Sequence, residues 1–198
     1  MKKIGILGGS FDPVHLGHKL VASYASEYGG LDEVWVMVNR QNPLKASQTR
    51  ASEQERLEMC RLAMEGCKKV RVSDFELSLP VPSYTYDTLV SLKKTYPGYE
   101  FKFLIGSDSL ANFNNWKNSG KILEEFGVMV YPRPGYEHLK MPGEGFEQIE
   151  GMPVCGISST FVRDICKKGW DLGGFVPEKV SEFIVRHGLY GYPELERS

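Results

Sequence analysis

The sequence predicts an α/β fold: a Rossmann-like, doubly wound, mainly parallel sheet with helices on both faces. Three observations predict it. Five short runs dense in apolar and β-branched residues recur along the chain, as strands covered on both faces require. Segments of helical length and pattern lie between several of them, which implies parallel pairing through right-handed crossovers. The length, 198 residues, suits one α/β domain with a sizeable core.

Each element has its own signal. "KIGIL" (3–7) is the first strand, followed by a helix over 16–28. "VWVMV" (34–38) is the second strand. The next helix, 52–66, opens on a capping box, with Ser52 as cap and Glu55 three residues on. "VRVSD" (70–74) reads as a strand, and 84–97 as a helix stopped near Pro97-Gly98. "FKFLI" (101–105) and "GVMVY" (127–131) complete the strands. The Pro- and Gly-rich stretch 132–146 reads as a surface loop. Helical patterns return at 156–169 and at 176–190, the latter with Pro177 near its start and Gly188 past its end. There is no internal repeat, low-complexity tract or linker, so residues 1–198 are expected to form a single domain.

Composition narrows the function classes. A formal net charge of -1 gives no general attraction to nucleic acid or anionic membranes, so an anionic ligand needs local groups. No stretch approaches ~20 apolar residues, so no membrane span is expected. Cys60, Cys67, Cys155 and Cys166 form no C-x-x-C pair. Cys60 and Cys67 are expected two turns apart on one helix, and all four are expected to be reduced thiols of a cytoplasmic protein.

The stretch "GGSFDPVHLGH" (8–18) comes directly after the first strand, where ligands bind in open parallel sheets. Gly8 and Gly9 let a ligand approach the backbone. Ser10 adds a hydroxyl and Asp12-Pro13 a turn. A helix beginning near His15 presents unpaired N–H groups carrying about half a positive charge, which attracts phosphate. His15 and His18, three apart, share a helix face and can both donate to phosphate oxygens, with protonation easy beside a phosphate. A metal pair and a purely structural turn are the competing readings. Near the other end, "GISSTFVRDI" places Ser158, Ser159 and Thr160 at a helix start, with Arg163 able to reach back over it. That pattern suits a second anion site or an ordinary N-cap with a surface arginine.

The first stretch resembles the signature of the H-x-G-H nucleotidylyltransferase superfamily, and the second resembles its I-S-S-T-x-x-R motif. Further stretches are similar to the bacterial nicotinate-nucleotide adenylyltransferases: S-Y-T-x-D-T at 83–88, G-x-D-S-L at 106–110, Trp116 eight positions after Asp108, "PRPGY" at 132–136 and "HGLY" at 187–190. The resemblance spans about residues 3–190. It implies adenylyl transfer from ATP to nicotinate mononucleotide by direct in-line attack, giving nicotinate adenine dinucleotide and pyrophosphate. It implies catalytic roles for His15, His18, Lys45 and Arg163. ATP would lie against Gly8, Gly9, Ser10, Phe11, His15 and His18 at one end. Gly106, Asp108, Ile157, Ser158, Ser159 and Arg163 would contact it elsewhere, Asp108 at the ribose.

For the acceptor the resemblance implies Lys45, Ser83, Tyr84, Thr85, Trp116 and Arg133. The pyridine ring would stack on Trp116, its carboxylate held by backbone N–H groups near Tyr84 and Thr85. Mg²⁺ is expected as a cofactor bound mainly through ATP, with no protein metal site. A covalent intermediate is not expected, because no serine or cysteine has an evident activating base. Expected partners are ATP and nicotinate mononucleotide, without nucleic acid or membrane, and a homo-oligomer is left open. One departure stands out: the chain has Pro43-Leu44-Lys45 where the family usually has Pro-His-Lys. The nearest alternatives are a phosphopantetheine adenylyltransferase, a cytidylyltransferase and a nucleotide sensor without catalysis.

Overall fold

The computed structural model describes residues 1–40, 51–136 and 141–193. Six parallel strands form its sheet: β1 (Lys2–Gly9), β2 (Glu33–Val38), β3 (Val70–Ser73), β4 (Tyr99–Gly106), β5 (Val128–Tyr131) and β6 (Phe146–Gln148). Their order is β3-β2-β1-β4-β5-β6, so the direction of winding reverses between β1 and β4. Gly9 pairs with Val38 on one side of β1, and Leu7 with Leu104 on the other. The carboxyl ends of β1 and β4, at Gly9 and Gly106, therefore flank the switch point.

Strand alternation splits the core in two. Ile4 and Ile6 of β1 join Trp35, Met37, Phe101 and Phe103 on one face. That face is covered by α3 (Thr85–Thr95), the short α4 (Leu110–Phe113) and α5 (Ser119–Glu125) through Leu89, Leu92, Phe113 and Ile122. Leu7, Val36 and Leu104 point to the other face. There α1 (Leu16–Tyr28), α2 (Glu53–Met64), α6 (Ser159–Lys167) and α7 (Glu178–Arg186) bury Ala22, Leu57, Val162 and Val180. The expected two-sided fold is present.

Local chemistry explains most boundaries. The Ser52–Glu55 capping box forms at α2, with Ser52 Oγ accepting from Glu55 N at 3.2 Å and Ser52 N donating to Glu55 Oε2 at 2.7 Å. That helix ends at Met64, two residues short of the expected 66. The chain leaves helical geometry at Glu65, and Gly66 takes the left-handed conformation (φ +81°). Cys67 thus lies beyond the helix, its N–H on the Met64 carbonyl, and not two turns along it from Cys60. Two features escaped the sequence patterns. α4 and α5 fill the interval before β5, and Phe146, placed in a loop by composition, begins a sixth strand that pairs with Val128.

Candidate active site

The site is built on the segment that leaves β1. Phe11 is buried with a positive φ of 47°, and Asp12 is 3% exposed. His15 caps α1 in extended backbone, so the helix starts where the histidine spacing placed it. The His15 and His18 rings stack at 3.7 Å between centroids, 26° from parallel, and Phe11 meets the His18 ring edge-on at 4.9 Å. His15 N donates to His18 Nδ1 at 3.3 Å. That bond commits Nδ1 as an acceptor and leaves Nε2–H of a neutral His18 free to donate. Burial, with Arg133's charge behind it, pushes the His15 imidazolium down to about 4. Burial, then the His15 ring and Arg133, holds His18 well below its usual value. Without a bound anion both rings are neutral donors at neutral pH.

The second motif docks directly on the first. Ser159 Oγ donates to the Pro13 carbonyl at 2.9 Å. Arg163 Nη1 donates to the Asp12 carbonyl at 2.6 Å, and its Nη2 to Thr160 Oγ1 at 3.0 Å. Ser158 caps α6 by accepting from Phe161 N at 3.2 Å, which leaves its own hydroxyl proton available. Residues 146 positions apart thus meet beside the histidines. The Asp12 carboxylate stabilises this junction, accepting from Ala51 N at 3.2 Å and from Tyr190 Oη at 2.8 Å.

Two further clusters border the switch point. After β4, Asp108 faces Arg133 at 3.8 Å, and a methyl on Gly106 would come within 2.3 Å of Asp108 Oδ1. Only glycine lets that carboxylate fold back over the strand end. The charge of Arg133 also bears on both imidazoles. On the other side of β1, a small cavity of about 20 Å³ is lined by Gly8, Asn39, Glu76, Thr85, Thr88 and Phe103. Ser83 Oγ donates to Glu76 Oε1 at 2.9 Å, and burial pushes the Glu76 carboxyl up. Trp116 is half-buried, its ring centroid 6.0 Å from that of Phe103, which lines the cavity. Lys117 Nζ sits 4.0 Å over the exposed Tyr84 ring and 3.1 Å from Asp87. The segments around Tyr84 and Trp116 are therefore neighbours. Lys45 lies outside the described residues.

Sequence reasoning missed several residues. Arg56 is buried at 1% exposure and donates from Nη1 to the Ser10 carbonyl at 2.6 Å and the Asn39 carbonyl at 2.9 Å, tying the ends of β1 and β2 together. Its signal was an arginine in register with Cys60 and Ala63 on the buried stripe of α2. Asn39 Oδ1 and Thr88 Oγ1 are buried in the cavity wall without a hydrogen-bond partner among the described residues, which suits polar groups of a ligand. A methyl built on Gly17 would lie 3.0 Å from His15 Nδ1 and 3.1 Å from Cys155 Sγ, so ring and thiol crowd the same side of that glycine.

Residues 6–165 match the cytidylyltransferase-like family. A protein of Bacteroides fragilis named as a probable nicotinate-nucleotide adenylyltransferase is 42% identical over 184 residues, covering 93% of this chain and 92% of its own. One of Bacteroides thetaiotaomicron with the same name is 43% identical over 182 residues, 92% and 90% of the two chains. The Plasmodium falciparum nicotinic acid mononucleotide adenylyltransferase complexed with NaAD has the same fold, with a TM-score of 0.79 at 22% identity over 98% of this chain and 99% of that one.

Proposed function

Given that the chain belongs to the cytidylyltransferase-like family, among the nicotinate-nucleotide adenylyltransferases, we propose that it transfers the adenylyl group of ATP to nicotinate mononucleotide. It is a nucleotidyltransferase of NAD biosynthesis. The observation that carries the reading is the docking of Ser159 and Arg163 onto Pro13 and Asp12, which sets both phosphate motifs around one strand end.

The products are nicotinate adenine dinucleotide and pyrophosphate. A phosphate oxygen of the mononucleotide attacks the α-phosphorus of ATP in line, the P–O bond to the β-phosphate breaks, and pyrophosphate leaves without a covalent enzyme intermediate. His15 and His18 donate to the α-phosphate as charge builds on it. Lys45, Ser159 and Arg163 take the β- and γ-phosphates, and Asp108 the adenosine ribose. Binding of the triphosphate exchanges the Arg163 contact with the Asp12 carbonyl for phosphate oxygens, a charge-assisted pairing that is stronger. The acceptor lies over the small cavity beside Gly8, with its ring against Trp116 and its carboxylate at the start of α3. Asn39 and Thr88 meet its polar groups. Among the described residues no group of three or more His, Cys, Asp and Glu side chains converges. Mg²⁺ held on the triphosphate oxygens would neutralise part of their charge.

The assay mixes the protein with ATP, Mg²⁺ and one acceptor and measures pyrophosphate. Release with nicotinate mononucleotide, weaker release with the nicotinamide analogue, and none with phosphopantetheine is expected. Release with phosphopantetheine alone, or ATP binding without release from any acceptor, overturns the assignment.

A further inference from the structure

Two acidic side chains flank the entry to α3, and Lys117 answers them. The Glu76 carboxyl lines the small cavity beside Gly8 and takes the Ser83 hydroxyl at 2.9 Å. Asp87 stands in the first turn of α3. Lys117 Nζ lies 3.1 Å from Asp87 Oδ2 and 4.0 Å from the centroid of the Tyr84 ring. The lysine directly follows Trp116, so it reaches this turn from the other wall of the acceptor site. Its side chain is 49% exposed, which leaves the ammonium open to an arriving group.

The turn itself is prepared for a ligand. Tyr84 takes the N-cap position in extended backbone, and no side chain caps the helix. Asp87, placed where an acid can turn back onto the helix start, is held by Lys117 instead. Thr85 and Thr88 carry the same turn to the cavity wall. Thr88 is 4% exposed, and its hydroxyl is buried without a hydrogen-bond partner among the described residues. A buried hydroxyl left open is costly unless a ligand meets it. A carboxylate arriving here meets an uncapped helix start, but also the acids at 76 and 87. The next cation on this turn, Lys121, shares Tyr86 with Glu125: Nζ lies 5.6 Å from the ring centroid, and the hydroxyl donates to the glutamate at 2.8 Å. The charge that tips the balance toward an anion is that of Lys117.

We propose that Lys117 is a specificity-determining residue of the acceptor site, whose ammonium pairs with a carboxylate on the acceptor ring and so selects the acid over the amide. This rests on the adenylyl-transfer reading, which puts that carboxylate at the start of α3. An ammonium has three donors, so Lys117 serves Asp87 and the ligand together. With an amide in place of the carboxylate the attraction is lost and the flanking acids remain. The contact is open to water, which limits its worth to about fivefold in affinity. It adds binding and does not touch the α-phosphate, so it acts on KM and not on kcat.

The full chain is compared with K117Q, K117R and K121Q. Pyrophosphate release is followed against nicotinate mononucleotide and against the nicotinamide analogue, at low and high salt, and melting temperatures are recorded. K117Q is expected to raise KM for the acid about fivefold. Its kcat, its KM for ATP, its melting temperature and its kinetics with the amide should match the wild type. K117R and K121Q should keep the wild-type ratio of acid to amide. Salt should lower that ratio in the wild type and not in K117Q. Equal loss for acid and amide in K117Q means that the lysine only props Tyr84, and overturns the proposal. An unchanged KM for the acid, or the same loss in K121Q, does so too. Calorimetric binding of each mononucleotide without ATP separates the two readings. Lys117-dependent preference for the acid without pyrophosphate release sinks the functional reading and leaves this one standing. Equal binding of acid and amide, or binding of neither, overturns this one.

Discussion

At the residue scale, the histidine pair combines two properties that pull apart. The rings are stacked and desolvated, which disfavours charge, yet they must meet phosphate. The structure resolves this by fixing the tautomer: the His15 N–H holds His18 Nδ1, and Nε2–H is left to donate. His18→Ala removes that donor and is expected to cost about 3–4 kcal/mol of barrier, on the order of a thousandfold in rate. Its melting temperature should stay near that of the wild type, so rate and melting are measured together. His15 also sets a pH dependence. An unfolded histidine titrates near 6.5, about the ordinary value, and the folded ring at about 4. Between these values the unfolded chain takes up a proton that the native chain refuses, so stability is full above about pH 6.5 and lost as pH falls toward about 4. His15→Asn is expected to flatten that slope in thermal melts across the interval, and an unchanged slope would contradict it. These residues were legible in the sequence because the message is local, two histidines and three glycines within eleven positions. Arg56 was not, because its role depends on the Ser10 and Asn39 carbonyls, 46 and 17 residues away.

At the element scale, the opening loop is held from three directions: α6 through Ser159 and Arg163, the start of α2 through Ala51, and the turn at Leu189–Gly191 through Tyr190. The Tyr190 hydroxyl is buried, and burial together with the Asp12 charge pushes its ionisation far up, so it acts as a donor throughout the working range. Tyr190→Phe deletes a buried hydrogen bond to a carboxylate and is expected to cost about 1.5–3 kcal/mol of stability, read as an earlier denaturant midpoint with unchanged slope. The long helices with capping boxes and periodic apolar faces were readable in advance. The brief α4, α5 and β6 were not. At three to seven residues they carry too little pattern, and their positions come from packing against β4 and β5.

At the scale of the whole molecule, the order of the sheet decides where chemistry can happen. Reversal between β1 and β4 puts the switch point at the carboxyl ends of those strands, and the histidine segment and Asp108 follow directly from them. No helix among the described residues is long and apolar enough to cross a membrane. The sheet's existence came from alternating runs, but its order, β3-β2-β1-β4-β5-β6, was not read from the sequence. Composition could not supply the fact that the two phosphate motifs touch each other without a ligand between them.

That contact has a bearing on how the chain is made. The carboxylate of Asp12 and the carbonyls of Asp12 and Pro13 wait for Tyr190, Ser159 and Arg163, all supplied late in synthesis. A nascent chain emerging from the ribosome can assemble its first strands and helices early, yet the histidine loop stays unbraced until Tyr190 is out. Premature termination before that point yields a protein with a sheet and no finished site, which no excess of nucleotide would complete.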